Sequence, residues 1–134
     1  MNEYITIKEY EISHLEYLLI LHVKTLRDKK GWSQKELSER MGVTSSFVGN
    51  VENLNQRHKY SIRHVALLTK AFGFKSQSQL FNFAPPEYDE VILKVENTNI
   101  DYIKIKDGKE EKKTRVIKSE LLEIIPIKFF KKNQ

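Results

Sequence analysis

"SQKELSERMGVTSSFVGNVEN", residues 33–53, decides the fold. Ser33 followed three residues on by Glu36 is a capping box: the hydroxyl can accept from the Glu36 amide while the carboxylate reaches back. Trp32, just ahead of the cap, can staple against Leu37. The helix begun there runs to Met41, where Gly42 permits the left-handed backbone of a sharp turn. Thr44 then caps a further helix, with Phe47, Val48 and Val51 as its inner face and Asn53 near its end. Two short helices across a glycine-containing turn make the helix-turn-helix pattern, which generic helical hairpins also satisfy. The outward face of the later helix is slight, with Ser45, Ser46, Gly49 and Asn50 upon it.

Toward the N-terminus, Leu15, Leu19, Val23 and Leu26 follow spacings of about four, four and three, which sets them on one face of a helix over residues 12–30. Gly31 ends it, and Lys29 and Lys30 suit the negative end of its dipole. Toward the C-terminus, the polar loop "NLNQRHKY" precedes Ser61, which caps a fourth helix with Val65, Leu68 and Phe72 inward. A short fifth helix is expected over residues 76–81, with Leu80 and Phe81 apolar. Short helices with short links make a compact all-α unit.

"APPEYDE", residues 84–90, changes the character of the chain, because consecutive prolines stop a helix and stiffen a linker. "EVILKVEN", "IDYIKIK" and "TRVIKSELLEIIPI" then bring β-branched residues, and "KDGKEEKK" carries an Asp-Gly turn signal. Two or three antiparallel strands are expected, although "KSELLEII" also admits a helical turn or two. So few apolar side chains cannot hold this segment alone; it should dock on the helical unit or on a second copy. The expected fold class is mainly α: a five-helix domain followed by a small antiparallel β-rich C-terminal extension. The expected divisions are an N-terminal arm at 1–12, the helical domain at 13–83 and the extension at 84–134.

The 134 residues, 40% of them hydrophobic, suffice for one domain with an appendage. The net charge of +5 is unevenly placed: −2 over residues 1–12, +6 over 13–82 and +1 over 83–134. A basic module beside a nearly neutral one suits an anionic partner. No apolar run is long enough for a membrane span, no secretory signal opens the chain, and the absence of cysteine fits a reducing cytoplasm. His14 and His22 lie too far apart to chelate, and His58 and His64 lack a third ligand. Asp89 with Glu90, and Glu110 with Glu111, point in different directions as sequence neighbours and pair with no base. No glycine-rich phosphate loop occurs. No metal, no cofactor and no enzymatic activity are therefore expected.

"LRDKKGWSQKELSERMGVTSSFVGNVEN", followed by "SIRHVALLTKAFGF", resembles the Xre/Cro-type helix-turn-helix domain of phage repressors and bacterial regulators, over roughly residues 15–82. The resemblance implies roles by position. Arg27 and Glu52 match a structural ion pair joining the first helix to the end of the third. Gln34 matches a glutamine that bonds a backbone phosphate. Thr44, Ser45, Ser46, Gly49 and Asn50 match the face that enters the major groove, where Asn50 could pair bidentately with adenine. Phe47 lies between core and DNA backbone. Arg57, His58, Lys59, Tyr60 and Arg63 fall where relatives meet phosphates. Leu54 stands where a glycine commonly ends the recognition helix, and the usual proline before the fourth helix is missing.

The implied function is a sequence-specific transcriptional regulator, bound to double-stranded DNA as a homodimer on a two-fold operator, in a bacterial or phage-derived cytoplasmic setting. The alternative is an antitoxin-like or phage-associated module whose tail, residues 87–127, holds a partner protein while its helices hold DNA.

Overall fold

The computed structural model describes residues 2–56 and 58–131. In chain order they form β1 (Glu3–Ser13), α1 (His14–Lys30), α2 (Gln34–Met41), α3 (Phe47–Glu52), α4 (Ile62–Ala71), α5 (Gln77–Leu80), β2 (Glu90–Lys106) and β3 (Lys109–Lys128). The expectation of a mainly α chain is overturned: helix accounts for 35% and strand for 37%, in a three-stranded antiparallel sheet. The physical reason lies at both ends. Residues 3–12, expected in an N-terminal arm, form with Ser13 an edge strand of that sheet, and β3 runs unbroken through "KSELLEII".

The sheet order is β1-β2-β3, with β2 in the middle. Glu3 to Ser13 pair in continuous register with Ile100 back to Glu90. On the other side, β2 meets β3 through a two-residue turn, Asp107-Gly108, both at positive φ (52° and 72°). Asp-Gly satisfies the left-handed pair that such a hairpin needs. Along β2 every second side chain is buried: Val91, Leu93, Val95, Asn97 and Asn99. Cross-strand partners share a face, so Tyr4, Thr6, Lys8, Tyr10 and Ile12 of β1 lie on this inner side.

Two apolar clusters follow. Leu19, Ile20, Val23, Leu37, Met41, Val48, Val51, Tyr60, Val65, Leu68, Phe72 and Leu80 form the helical core. Tyr17 of α1 joins Val91, Leu93 and Val95 in the second, which seats the sheet on α1. Because α1 is covered by both helices and sheet, its buried set is His14, Tyr17, Leu19, Ile20, Val23 and Arg27. Leu15, expected inward, is exposed.

Helix ends are set by local chemistry. Ser13 accepts from the Glu16 amide at 3.1 Å to start α1, and Gly31 (φ 71°) closes it. Ser33 accepts from the Glu36 amide at 3.0 Å, but the Glu36 carboxylate turns to Arg40 at 2.9 Å. Ser61 and His64 make a reciprocal box at the start of α4, with His64 Nδ1 accepting from the Ser61 amide at 2.9 Å. No helix among the described residues is long and apolar enough to cross a membrane.

Candidate nucleic-acid interface

The joint between α1, α2 and α3 is a charged knot. Arg27 Nε donates to Glu52 Oε2 at 3.0 Å and Nη2 to Oε1 at 2.8 Å, a bidentate fork. Arg27 Nη1 also donates to the Trp32 carbonyl at 2.8 Å. Both side chains are nearly closed to solvent, 10% and 4% exposed. Glu52, by hydrogen bonding and then by charge, raises the guanidinium pKa further above its ordinary value, against the opposing effect of burial. The same carboxylate accepts from Gln34 Nε2 at 3.1 Å. Gln34 therefore arrives at the start of α2 already oriented by the end of α3.

Gly49 has a role in this arrangement. A Cβ placed there would meet Gln34 Oε1 at 3.1 Å, closer than ordinary contact. The missing side chain makes room for the held amide. Ser38, fully buried, is a further joint that the sequence pattern did not reveal: its hydroxyl donates to the Gln34 carbonyl and accepts from the Val48 amide, both at 3.0 Å. A serine at an apolar-face position of α2 was the available signal.

The α3 boundary differs from expectation. Phe47 N donates to the Thr44 carbonyl at 3.0 Å, so residues 44–46 form a tight lead-in turn; Ser46 takes the N-cap position without a side-chain capping bond. Thr44, Ser45 and Ser46 are exposed, and Phe47, Gly49 and Asn50 are half-buried. The Phe47 ring tilts against His64 at 4.4 Å and Tyr60 at 6.0 Å, an anchor between α3 and α4.

Of the loop cations, Lys59 and Arg63 are exposed, and Lys59 Nζ lies 3.5 Å from Glu16 Oε2. Arg57 falls outside the described residues. Tyr60 is displaced from the expected role: only 7% exposed, it packs in the helical core with its hydroxyl unpartnered among the described residues. Burial is the main cause of its strongly raised pKa. The apolar ring won because it packs among Phe47 and His64 in the helical core.

The sheet grips the end of α3 through a ring of hydrogen bonds. Asn55, three residues past Glu52, donates to Ser119 Oγ; Ser119 donates to Asn97 Oδ1; Asn97 donates to Asn55 Oδ1, each at 2.7 Å. Tyr10 adds a hydroxyl to Asn55 Oδ1 at 3.1 Å. Asn97 is wholly buried, so each polar group needs its partner. All three strands thus take part in fixing the segment that follows α3.

Residues 23–77 match the helix-turn-helix family HTH_3. This segment is a helix-turn-helix domain. The match covers the helices that carry the Arg27–Glu52–Gln34 knot and leaves β1, β2 and β3 outside it. Solved structures are similar, two of them as follows. The hypothetical transcription factor NHTF from Neisseria has 27% sequence identity over 49% of this chain and 72% of its own, with a TM-score of 0.42. The N-terminal DNA-binding domain of SinR from Bacillus subtilis has 25% identity over 50% of this chain and 94% of its own, with a TM-score of 0.41. No curated protein matches. In the helix-turn-helix domain, α2 and α3 are the paired helices and Gly42 (φ 76°) is the bend.

Proposed function

We propose that the chain is a sequence-specific DNA-binding transcriptional regulator that acts as a homodimer on a two-fold operator. One observation carries this reading. The exposed turn of Thr44, Ser45 and Ser46, with Asn50 beside it, stands on a helix clamped by the Arg27–Glu52–Gln34 knot, and the exposed Lys59 and Arg63 are the sequence neighbours of Tyr60 and His64, which pack on Phe47 of that helix. A pre-set helix suits the major groove, where Asn50 would read adenine, and the cations suit phosphate. Gln34, presented beside the first-turn amides of α2, suits a backbone phosphate. The Lys59–Glu16 pair is exposed and weak, so it yields readily to a phosphate.

Dimerisation is supported by Ile103 and Ile105, which lie on one side of the β2–β3 hairpin at 64% and 72% exposure. Nothing in the helical core covers them, and a second copy would. Half-sites one turn apart would then lie about 34–36 Å from each other.

Selection of bound fragments from genomic DNA tests the reading. Asn50→Ala should relax preference at one base position, while Lys59→Ala should weaken all sites alike. Uniform weakening by both would remove base reading from Asn50. Sedimentation of the full chain should show a dimer that Ile103→Asp with Ile105→Asp turns to monomer. A heteromeric species recovered from cells would instead favour a partner protein on residues 87–127.

A further inference from the structure

Over residues 83–134 the charge nearly cancels, but the fold separates it. Residues 83–100, which pack on the helical unit, hold one Lys against four acids; residues 101–118 hold seven Lys or Arg against four. β1 adds three acids and one Lys beside the first group. The base of the sheet is therefore acidic and its far end basic.

That far end is a bare ribbon. β1 stops at the Glu3–Ile100 pair, so from the Asp101–Thr114 pair to the Lys106–Lys109 pair only β2 and β3 remain. Six pairs at ~3.4 Å per residue give a reach of roughly 20 Å. Every residue from 103 to 118 is exposed.

The register then sorts the side chains by face. On the side away from the helices, Tyr102 pairs with Lys113, Lys104 with Glu111 and Lys106 with Lys109, and Arg115 stands opposite Ile100. Five cations thus share that face with one carboxylate, Glu111, which lies 3.3 Å from Lys113. Among the described residues, Lys104, Lys106, Lys109 and Arg115 form no ion pair, and the Arg115 guanidinium lies 5.9 Å from the Tyr102 ring. The other side carries Asp101, Ile103 and Ile105 opposite Thr114, Lys112 and Glu110.

Such a face is costly by itself. Lys106 directly opposes Lys109, a like-charge pairing that weakens the ladder, and a two-stranded ribbon is marginal in water. A polyanion relieves both. The ribbon is also held in fixed relation to α3, since the Asn55–Asn97–Ser119 ring lies just before it departs from the body.

We propose that the outer face of this ribbon, with Lys104, Lys106, Lys109, Lys113 and Arg115, is a second DNA-contacting surface that binds the phosphate backbone of the duplex held by the helix-turn-helix. The proposal rests on the DNA-binding reading above, and duplex DNA is the polyanion that reading supplies. Phosphate neutralisation releases counterions, so affinity falls with salt at a log–log slope of about −0.9 per contact.

The test is the salt dependence of binding of the full chain to a random-sequence duplex of about 40 base pairs. Lys104→Gln, Lys106→Gln and Lys113→Gln together should make the slope shallower by about 2–3 for each protomer bound. The corresponding Lys→Arg triple should keep the parent slope. Lys8→Gln, Lys94→Gln and Lys128→Gln, which remove the same charge from the base of the sheet, should also leave it unchanged. Far-UV circular dichroism of each variant should match the parent; should the Gln triple fail that check, Lys109→Gln with Arg115→Gln, which removes two charges from the same face, decides in its place. A parent that binds DNA, with a Gln triple of equal slope, overturns the ribbon proposal and spares the helix-turn-helix reading; equal losses in the Gln and sheet-base triples overturn it as well. A parent with no salt-sensitive DNA binding overturns both. Unchanged DNA slopes with loss of binding to anionic vesicles would assign the face to a lipid surface instead.

Discussion

Glu52 receives both arms of the Arg27 fork, at 2.8 and 3.0 Å, and the pair is almost sealed from water. Removing one partner strands a buried charge, which typically costs about 3–5 kcal/mol. Arg27→Met should therefore destabilise by about 3 kcal/mol in urea unfolding. Arg27→Met with Glu52→Leu should lose less than Arg27→Met alone, because neither charge is then left without its mate.

Gly49 in a helix forgoes the ~1 kcal/mol that alanine would ordinarily add. Gly49→Ala should not recover it, since the new methyl meets Gln34 Oε1 and Gln34 is held by Glu52. In a Gln34→Ala background the same change should stabilise by up to ~1 kcal/mol. Thermal unfolding of the four variants of that cycle measures the difference.

Tyr60 buries a hydroxyl with no partner among the described residues. Tyr60→Phe should leave stability unchanged or raise it by up to ~1 kcal/mol, as a buried unsatisfied polar group is removed. It should also leave DNA affinity unaltered in a fluorescence-anisotropy titration. Weakened binding would restore the phosphate contact expected from the sequence.

Two histidines set a pH dependence. Burial, then Lys29, lowers the pKa of His22, which lies 5.0 Å from the Phe83 ring. Burial, then Arg63, lowers that of His64, whose Nδ1 must stay unprotonated to accept from the Ser61 amide. With folded values below the ordinary ~6.5, the unfolded chain takes up protons first, so stability is full above that value and falls as pH drops through the folded values. The melting temperature should decline between pH 7 and 5. His22→Phe with His64→Gln should flatten that decline, glutamine being able to keep the capping bond.

The helical half was legible because its signals are local. Ser33, Ser61, Gly31 and Gly42 act within a turn of themselves, and the spacing of Val65, Leu68 and Phe72 needs no distant partner. The Asp107-Gly108 hairpin was legible for the same reason. β1 was missed although Tyr4, Thr6, Tyr10 and Ile12 alternate, because its partner lies some ninety residues away and a short polar segment reads equally as an arm. Asn55, Asn97 and Ser119 look like ordinary surface residues until the sheet brings them together. Tyr60 was misplaced because Arg57 and Lys59 beside it are cationic, and loop position says nothing of which side chain folds inward. The charge separation within the sheet disappeared in a sum over the whole extension.

The pairing of Glu3 with Ile100 has a temporal consequence. β1 is synthesised before all five helices, and its partner β2 begins only at Glu90. At about 5–20 residues per second, β1 waits roughly 4–15 s for that partner, while the local contacts of α1 to α5 can already close. During nascent-chain growth the helix-turn-helix domain therefore assembles first, with an unpaired strand edge trailing from α1 that the sheet covers last.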